Sequence, residues 1–181
     1  GGDIWPCKPN TETGLKERGF EFLAEMERLH MIVDVSHLSD RGFWDIAEHS
    51  TRPFAASHSN CRALAPHCRN LTDEMIRVMA EKGGLVGLNY CSGFLDDQPR
   101  PELCRSTTAL MARHAAHFKQ VGGIEIIGLG SDFDGIGGKL EMGDCSKLPL
   151  LADALRKEGF TEDEVEQIFF RNAQRFFEEN L

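Results

Sequence analysis

No stretch of this 181-residue sequence approaches the roughly 20 consecutive apolar residues needed to cross a bilayer. The first residues, GGDIWPCKPN, lack the charged start and apolar middle of a secretory signal, and the end, FFEENL, carries no anchor signal. The six cysteines (Cys7, Cys61, Cys68, Cys91, Cys104, Cys145) show no CxxC spacing, which argues against a zinc knuckle or a thioredoxin-type pair. No Lys/Arg cluster is long enough to track a phosphate backbone, and 29 acidic against 20 basic residues give a formal charge of −9, so nucleic acid is not an expected partner. These absences leave a soluble, cytoplasmic chain with reduced thiols as the expectation. With 41% hydrophobic residues and no linker, low-complexity segment or repeat to mark a boundary, the chain reads as a single domain over 1–181.

What is present is an alternation of apolar runs and helical patterns. Residues 13–29 carry Leu15, Phe22, Leu23, Met26 and Leu29 at helical spacing. MIVDV reads as a short strand, and Ser39 and Asp40 can cap a helix through RGFWDIAEHS with Phe43, Trp44 and Ala47 inward. PFAAS is the next strand, followed by a helix over TDEMIRVMAEKG that Thr72 caps and Gly83 and Gly84 stop. GLVGLNY is a third strand and IEIIGLG a fourth, with the helix TTALMARHAAHFKQVG between them. KLPLLADALRKEG and TEDEVEQIFFRNAQRFFEE close the chain as helices, the latter with Thr161 and Glu164 spaced for a capping box. The cluster Phe169, Phe170, Phe176 and Phe177 reads as core packing. Strands separated by helices, without hairpin signals, predict an α/β fold of consecutive parallel βα units.

In such folds ligands meet the carboxyl ends of the strands. Polar residues gather there: His37 after MIVDVS, His58 after PFAAS, Asn89 and Tyr90 ending GLVGLN, Asp132 and Asp134 after IIGLGS. Two imidazoles on neighbouring strand ends can share a divalent ion, and two alone make an open site, the catalytic kind; as single residues they are also ordinary loop hydrogen-bonders. SDFDG can supply a proton acceptor, a metal ligand or an ammonium partner, or simply a turn. Arg62 and Arg69, in the loop after His58, could each hold a carboxylate with a two-pronged guanidinium. His30, His49, His67, His114 and His117 are expected to be structural. A phosphate-binding doubly wound sheet ranks last, because DVSHLSD is no GxGxxG.

Taken together, MIVDVSHLSD, PFAASHSNCRAL continuing to HCRNLTDEMI, GGLVGLNY, IIGLGSDFDGI and CSKLPLLADALRKEGFTEDEVEQI resemble the membrane (renal) dipeptidase family. The resemblance implies zinc peptidase chemistry on a (β/α)8 TIM-type barrel, of which this chain is the carboxyl-terminal half, a single partial domain. It implies a two-zinc site with His37 and His58 as metal ligands, and Arg69 on the free carboxylate of a dipeptide substrate. It further implies Asp132 at the substrate amine, assisting proton transfer, with Asn89 and Tyr90 lining the pocket. The His-x-Asp motif and the bridging glutamate of the first barrel half have no match in this sequence. The partner expectation is therefore the missing half or a homo-oligomer. The competing expectation is a non-catalytic, self-associating binding protein built on a half barrel.

Overall fold

In the computed structural model, residues 12–98, 100–138 and 140–181 are described, so Cys7 and the segment GGDIWPCKPN lie outside the described residues. Three strands, β1 (Ala55–Ala56), β2 (Leu85–Leu88) and β3 (Ile127–Leu129), form a parallel sheet in that order. Ala55 pairs with Leu85 and Val86 with Ile127. Parallel neighbours need crossover connections, and α3 (Asp73–Glu81) and α5 (Thr108–Gly122) supply them.

MIVDV joins this sheet more briefly than its composition predicts. It makes one parallel bridge, Asp34 to Ala55, flanked by Val35 N donating to Ala55 O and Ala55 N donating to Val33 O. Leu38 N then turns back to Val35 O at 3.0 Å, which ends the ladder. The IEIIGLG run is also shorter as a strand, because Ile124–Ile126 form a 3-10 turn after Gly123, whose φ of +90° suits glycine. The buried Asn172 amide holds that turn, donating to Ile124 O at 2.7 Å and Ile127 O at 2.9 Å.

The helices begin where their caps predict. Ser39 Oγ accepts from Gly42 N at the start of α2 (Asp40–His49), Thr72 Oγ1 from Met75 N at α3, and Thr107 Oγ1 from Leu110 N at α5. α4 (Ser92–Leu95) is a single turn. α6 (Leu148–Lys157) leads to α7 (Glu162–Glu166), where Thr161 and Glu164 complete the capping box. A π turn, Gln167–Arg171, joins α7 to α8 (Asn172–Asn180). That wide turn corrects the expected phenylalanine cluster: Phe176 is buried and Phe169 half-buried, but Phe170 and Phe177 are exposed. The first helix, α1 (Glu17–Arg28), buries Gly19 and Leu23 while Phe22 and the following Leu29 are exposed, contrary to the predicted stripe.

Side chains alternate along β2 as strand geometry requires. Val86, Leu88 and Tyr90 belong to the main core with Ile76 and Met79 of α3 and Met111 and Phe118 of α5, whereas Leu85 joins a second cluster with Ala55 and Phe176. The parallel sheet brings His37, His58, Asn89 and Asp132 to one rim.

Candidate active site

Two glycines let the strand ends approach closely. A Cβ on Gly87 or on Gly130 would come within 2.0 Å of the Ser57 carbonyl oxygen, so only glycine admits that backbone between β2 and β3. Ser59 N then donates to Gly87 O at 2.9 Å and fixes the turn that carries His58.

His37 and His58 meet there, their Nε2 atoms 2.8 Å apart and their ring centroids 4.9 Å apart. Partial desolvation, and then the charge of Arg69, hold both imidazoles below the ordinary histidine pKa, with Asp34 and Asp132 opposing. Both therefore favour the neutral form, the form that ligates metal. Behind them lies a group without a predicted role. Asp34 Oδ1 accepts from Ser36 N and Ser57 N at 3.0 Å each, and Asp34 Oδ2 accepts from Ser57 Oγ at 2.5 Å. Ser57 Oγ is 2.6 Å from His58 Nδ1, and His58 N donates to Ser36 Oγ at 3.0 Å. Burial opposes ionisation of Asp34, but these hydrogen bonds outweigh it and hold its carboxyl below the usual range. An acid inside the otherwise apolar MIVDV is the sequence signal for this residue.

The loop after His58 separates the two candidate arginines. Arg62 is committed to structure, forking onto both Asp40 oxygens at 2.7 Å and donating to Asn70 O and Cys68 O. Arg69 is buried, 7% exposed, with Nη2 3.4 Å from His37 Nε2 and donating to His58 O at 3.3 Å. Its Nη1 has no hydrogen-bond partner among the described residues. The guanidinium lies 5.4 Å from the centre of the Phe94 ring. Burial lowers its pKa while Asp132 and Asp34 raise it, so this cation is short of a counter-charge.

Asn89, fully buried, donates from Nδ2 to Asp132 Oδ2 at 3.0 Å and accepts from Cys91 N at Oδ1. Asp132 has φ +68°, the left-handed region that bulky residues avoid. Tyr90 does not join them: it is fully buried in the main core, its ring 5.4 Å edge-to-face from Phe133 and its hydroxyl unpartnered among the described residues. Tyr90 packs in the main core, whereas the Asn89 side chain turns to Asp132. Asp134 is exposed.

The remaining histidines hold structure. His114 is buried, accepting from Cys61 N and bonding Leu95 O, and burial pushes its pKa down to about 4. His117 pairs with Asp73, and His49 with Asp45 O. The five described cysteines are free thiols. Among the described residues no group of three or more His, Cys, Asp and Glu could hold a metal ion. The donor set fits a metal in part: two Nε2 atoms converge, and no third ligand joins them among the described residues. Among the described residues no helix is long and apolar enough to cross a membrane.

Comparison with known proteins agrees with this geometry. The family model described as membrane dipeptidase (peptidase family M19) matches residues 6–180. A protein in the pqqA 5' region of Klebsiella pneumoniae is 38% identical over 94% of this chain and 63% of its own length. An uncharacterized dipeptidase of Schizosaccharomyces pombe is 35% identical over 91% of this chain and 39% of its own. A metallopeptidase from Rhodobacter sphaeroides, solved with a phosphinate mimic of the dipeptide L-Ala-D-Ala, superposes with a TM-score of 0.88 at 35% identity, covering 97% of this chain and 50% of that one. The chain thus spans about half the length of the solved structures it matches, and its α/β fold corresponds to half of a TIM-type barrel. Because the family model matches nearly the whole sequence, residues 6–180, the chain belongs to the membrane dipeptidase family.

Proposed function

We propose that this chain, a single partial domain over 1–181, is the carboxyl-terminal half of a zinc-dependent dipeptidase. The observation that carries this reading is Arg69, a buried guanidinium with an unpartnered Nη1 beside two converging imidazoles. A buried cation lacking an anion is a receptor for one, and the free carboxylate of a dipeptide is an anion of the right shape. The reading draws further support from the Rhodobacter sphaeroides relative, whose ligand mimics a dipeptide.

In this mechanism Arg69 binds the substrate carboxylate and sets one end of the substrate. Asn89 occupies Oδ2 of Asp132, which leaves Oδ1 to meet the substrate ammonium and to hold or move a proton during peptide cleavage. A carboxylate clamp at one end and an acid at the other exclude longer peptides, because an unpaired charge would be buried. His37 and His58 would hold zinc through Nε2, with the other ligands of a two-ion site coming from the first half of the barrel. When bound, zinc supplies Lewis-acid polarisation of the peptide carbonyl and a lowered pKa for water.

The test is hydrolysis of L-Ala-L-Ala by the purified chain with zinc, alone and mixed with the separately expressed first half of a relative. Release of alanine that disappears with a chelator and in His37→Ala supports the reading. Zinc bound in the mixture without any turnover sinks it. A second reading, a self-associating protein without turnover, rests on the exposed Phe22, Leu29 and Met31. Metal-independent dimerisation on a sizing column without hydrolysis in either mixture favours that one.

A further inference from the structure

The hydrogen-bond chain behind His58 has a direction. Asp34 receives two backbone N–H groups on Oδ1 and the Ser57 hydroxyl on Oδ2, with donors on both oxygens, as an ionised carboxylate requires. Ser57 has a single hydroxyl hydrogen, and it is spent on Asp34. The 2.6 Å contact between Ser57 Oγ and His58 Nδ1 must then use a hydrogen carried by the imidazole. We propose that Asp34 and Ser57 form a tautomer lock, holding His58 as the Nδ1–H form so that its Nε2 lone pair always faces His37.

The geometry around the lock is fixed rather than adaptable. Gly87 and Gly130 press on the Ser57 carbonyl, and Ser36 Oγ accepts from His58 N at 3.0 Å, so the backbone that carries the Ser57 hydroxyl and the His58 ring is held in place. With His58 Nε2 as acceptor, the 2.8 Å contact between the two histidines takes its hydrogen from His37 Nε2, so the 3.4 Å approach of Arg69 Nη2 to that nitrogen is a close contact and not a hydrogen bond. His58 is thus a pre-formed ligand, while His37 must exchange its hydrogen before it can bind metal through the same atom. The serines of the two Ser-His pairs take different parts, Ser57 setting the ring's hydrogen and Ser36 its backbone. This assignment deepens the proposed metal site and rests on it for its purpose, but the tautomer itself can be read without metal.

Long-range proton–nitrogen NMR of histidine-labelled chain at pH 8, with His58 assigned by its loss in His58→Gln, reads the tautomer directly. The wild type is expected to show Nδ1–H at His58. Asp34→Asn reverses the chain: the amide donates to Ser57 Oγ, the hydroxyl turns to donate to Nδ1, and His58 becomes Nε2–H. Ser57→Ala should give a mixture of tautomers, and Ser57→Thr should restore the wild-type signal. A purely structural role would lower stability in Asp34→Asn without inverting the tautomer. Nε2–H in the wild type, or an unchanged tautomer in both Asp34→Asn and Ser57→Ala, overturns the lock. Zinc titration of the same samples separates the two readings: a tenfold to hundredfold loss of affinity in Asp34→Asn joins them. The predicted tautomers without any zinc binding, alone or with the first half supplied, keep the lock and discard the metal site.

Discussion

Asn89 holds Asp132 through one hydrogen bond of 3.0 Å, from Nδ2 to Oδ2, and it does so from the fully buried end of β2. The acid it holds sits at φ +68°, so part of the local backbone energy is committed to aiming a carboxylate.

That strain inverts a familiar order of stability. Glycine normally destabilises relative to alanine, but at a left-handed position it relieves the clash of Cβ with the following carbonyl. Asp132→Gly should therefore be more stable than Asp132→Ala by about 1 kcal/mol, read by urea denaturation, while both lose hydrolysis. Equal stability, or alanine ahead, would show that the turn is unstrained.

Arg69 offers a second separation of stability from function. Arg69→Met replaces a buried guanidinium lacking a full set of partners with an apolar chain of similar reach. The fold should lose little or gain, whereas dipeptide binding should weaken by about 2–5 kcal/mol. Thermal unfolding beside KM in the reconstituted enzyme checks both halves of this statement.

The glycine at 87 should be irreplaceable, and the one at 93 should not. Gly87→Ala places a methyl group on the Ser57 carbonyl and should cost more than about 2 kcal/mol. Gly93, in α4, has open space within 4 Å of where a methyl group would sit, so Gly93→Ala should be neutral or stabilising. Denaturant midpoints of the two variants give the comparison.

His114 makes stability depend on pH. Its folded pKa is about 4 against an ordinary 6.5, so the unfolded chain binds the extra proton more readily between those values. The contribution is complete above pH 6.5 and is lost as pH falls toward 4, amounting to about 3 kcal/mol. Urea unfolding across this window should show the slope, and His114→Gln should flatten it.

The helices are legible in the sequence because capping is local: Ser39, Thr72 and Thr161 bond to residues within one turn. The rim is legible because parallel strands put their carboxyl ends together, which gathers His37, His58, Asn89 and Asp132. Tyr90 follows Asn89 directly in the sequence, and only the fold shows its ring packed in the core. Arg62 and Arg69 cannot be told apart by spacing, since only the fold brings Asp40 onto the first and leaves Nη1 of the second unpartnered among the described residues. Asp34 stands out in the sequence only as an acid in an apolar run; its role stays hidden because its partner Ser57 is 23 positions away. Phe170 and Phe177 are expected inward because a regular helical period cannot anticipate a π turn.

The single bridge between Asp34 and Ala55 has a consequence for folding fidelity. In MIVDV the buried Val33 and Val35 flank the exposed Asp34, so a one-residue slip against PFAAS would turn both valines out of the core and the acid into it. The same slip would turn Asp34 away from Ser57 and remove the hydrogen bonds it accepts from Ser36 N, Ser57 N and Ser57 Oγ. The same carboxylate that orders the histidine thus proofreads the alignment of the strands, and a chain paired out of step would be recognised by its own lost polar bonds.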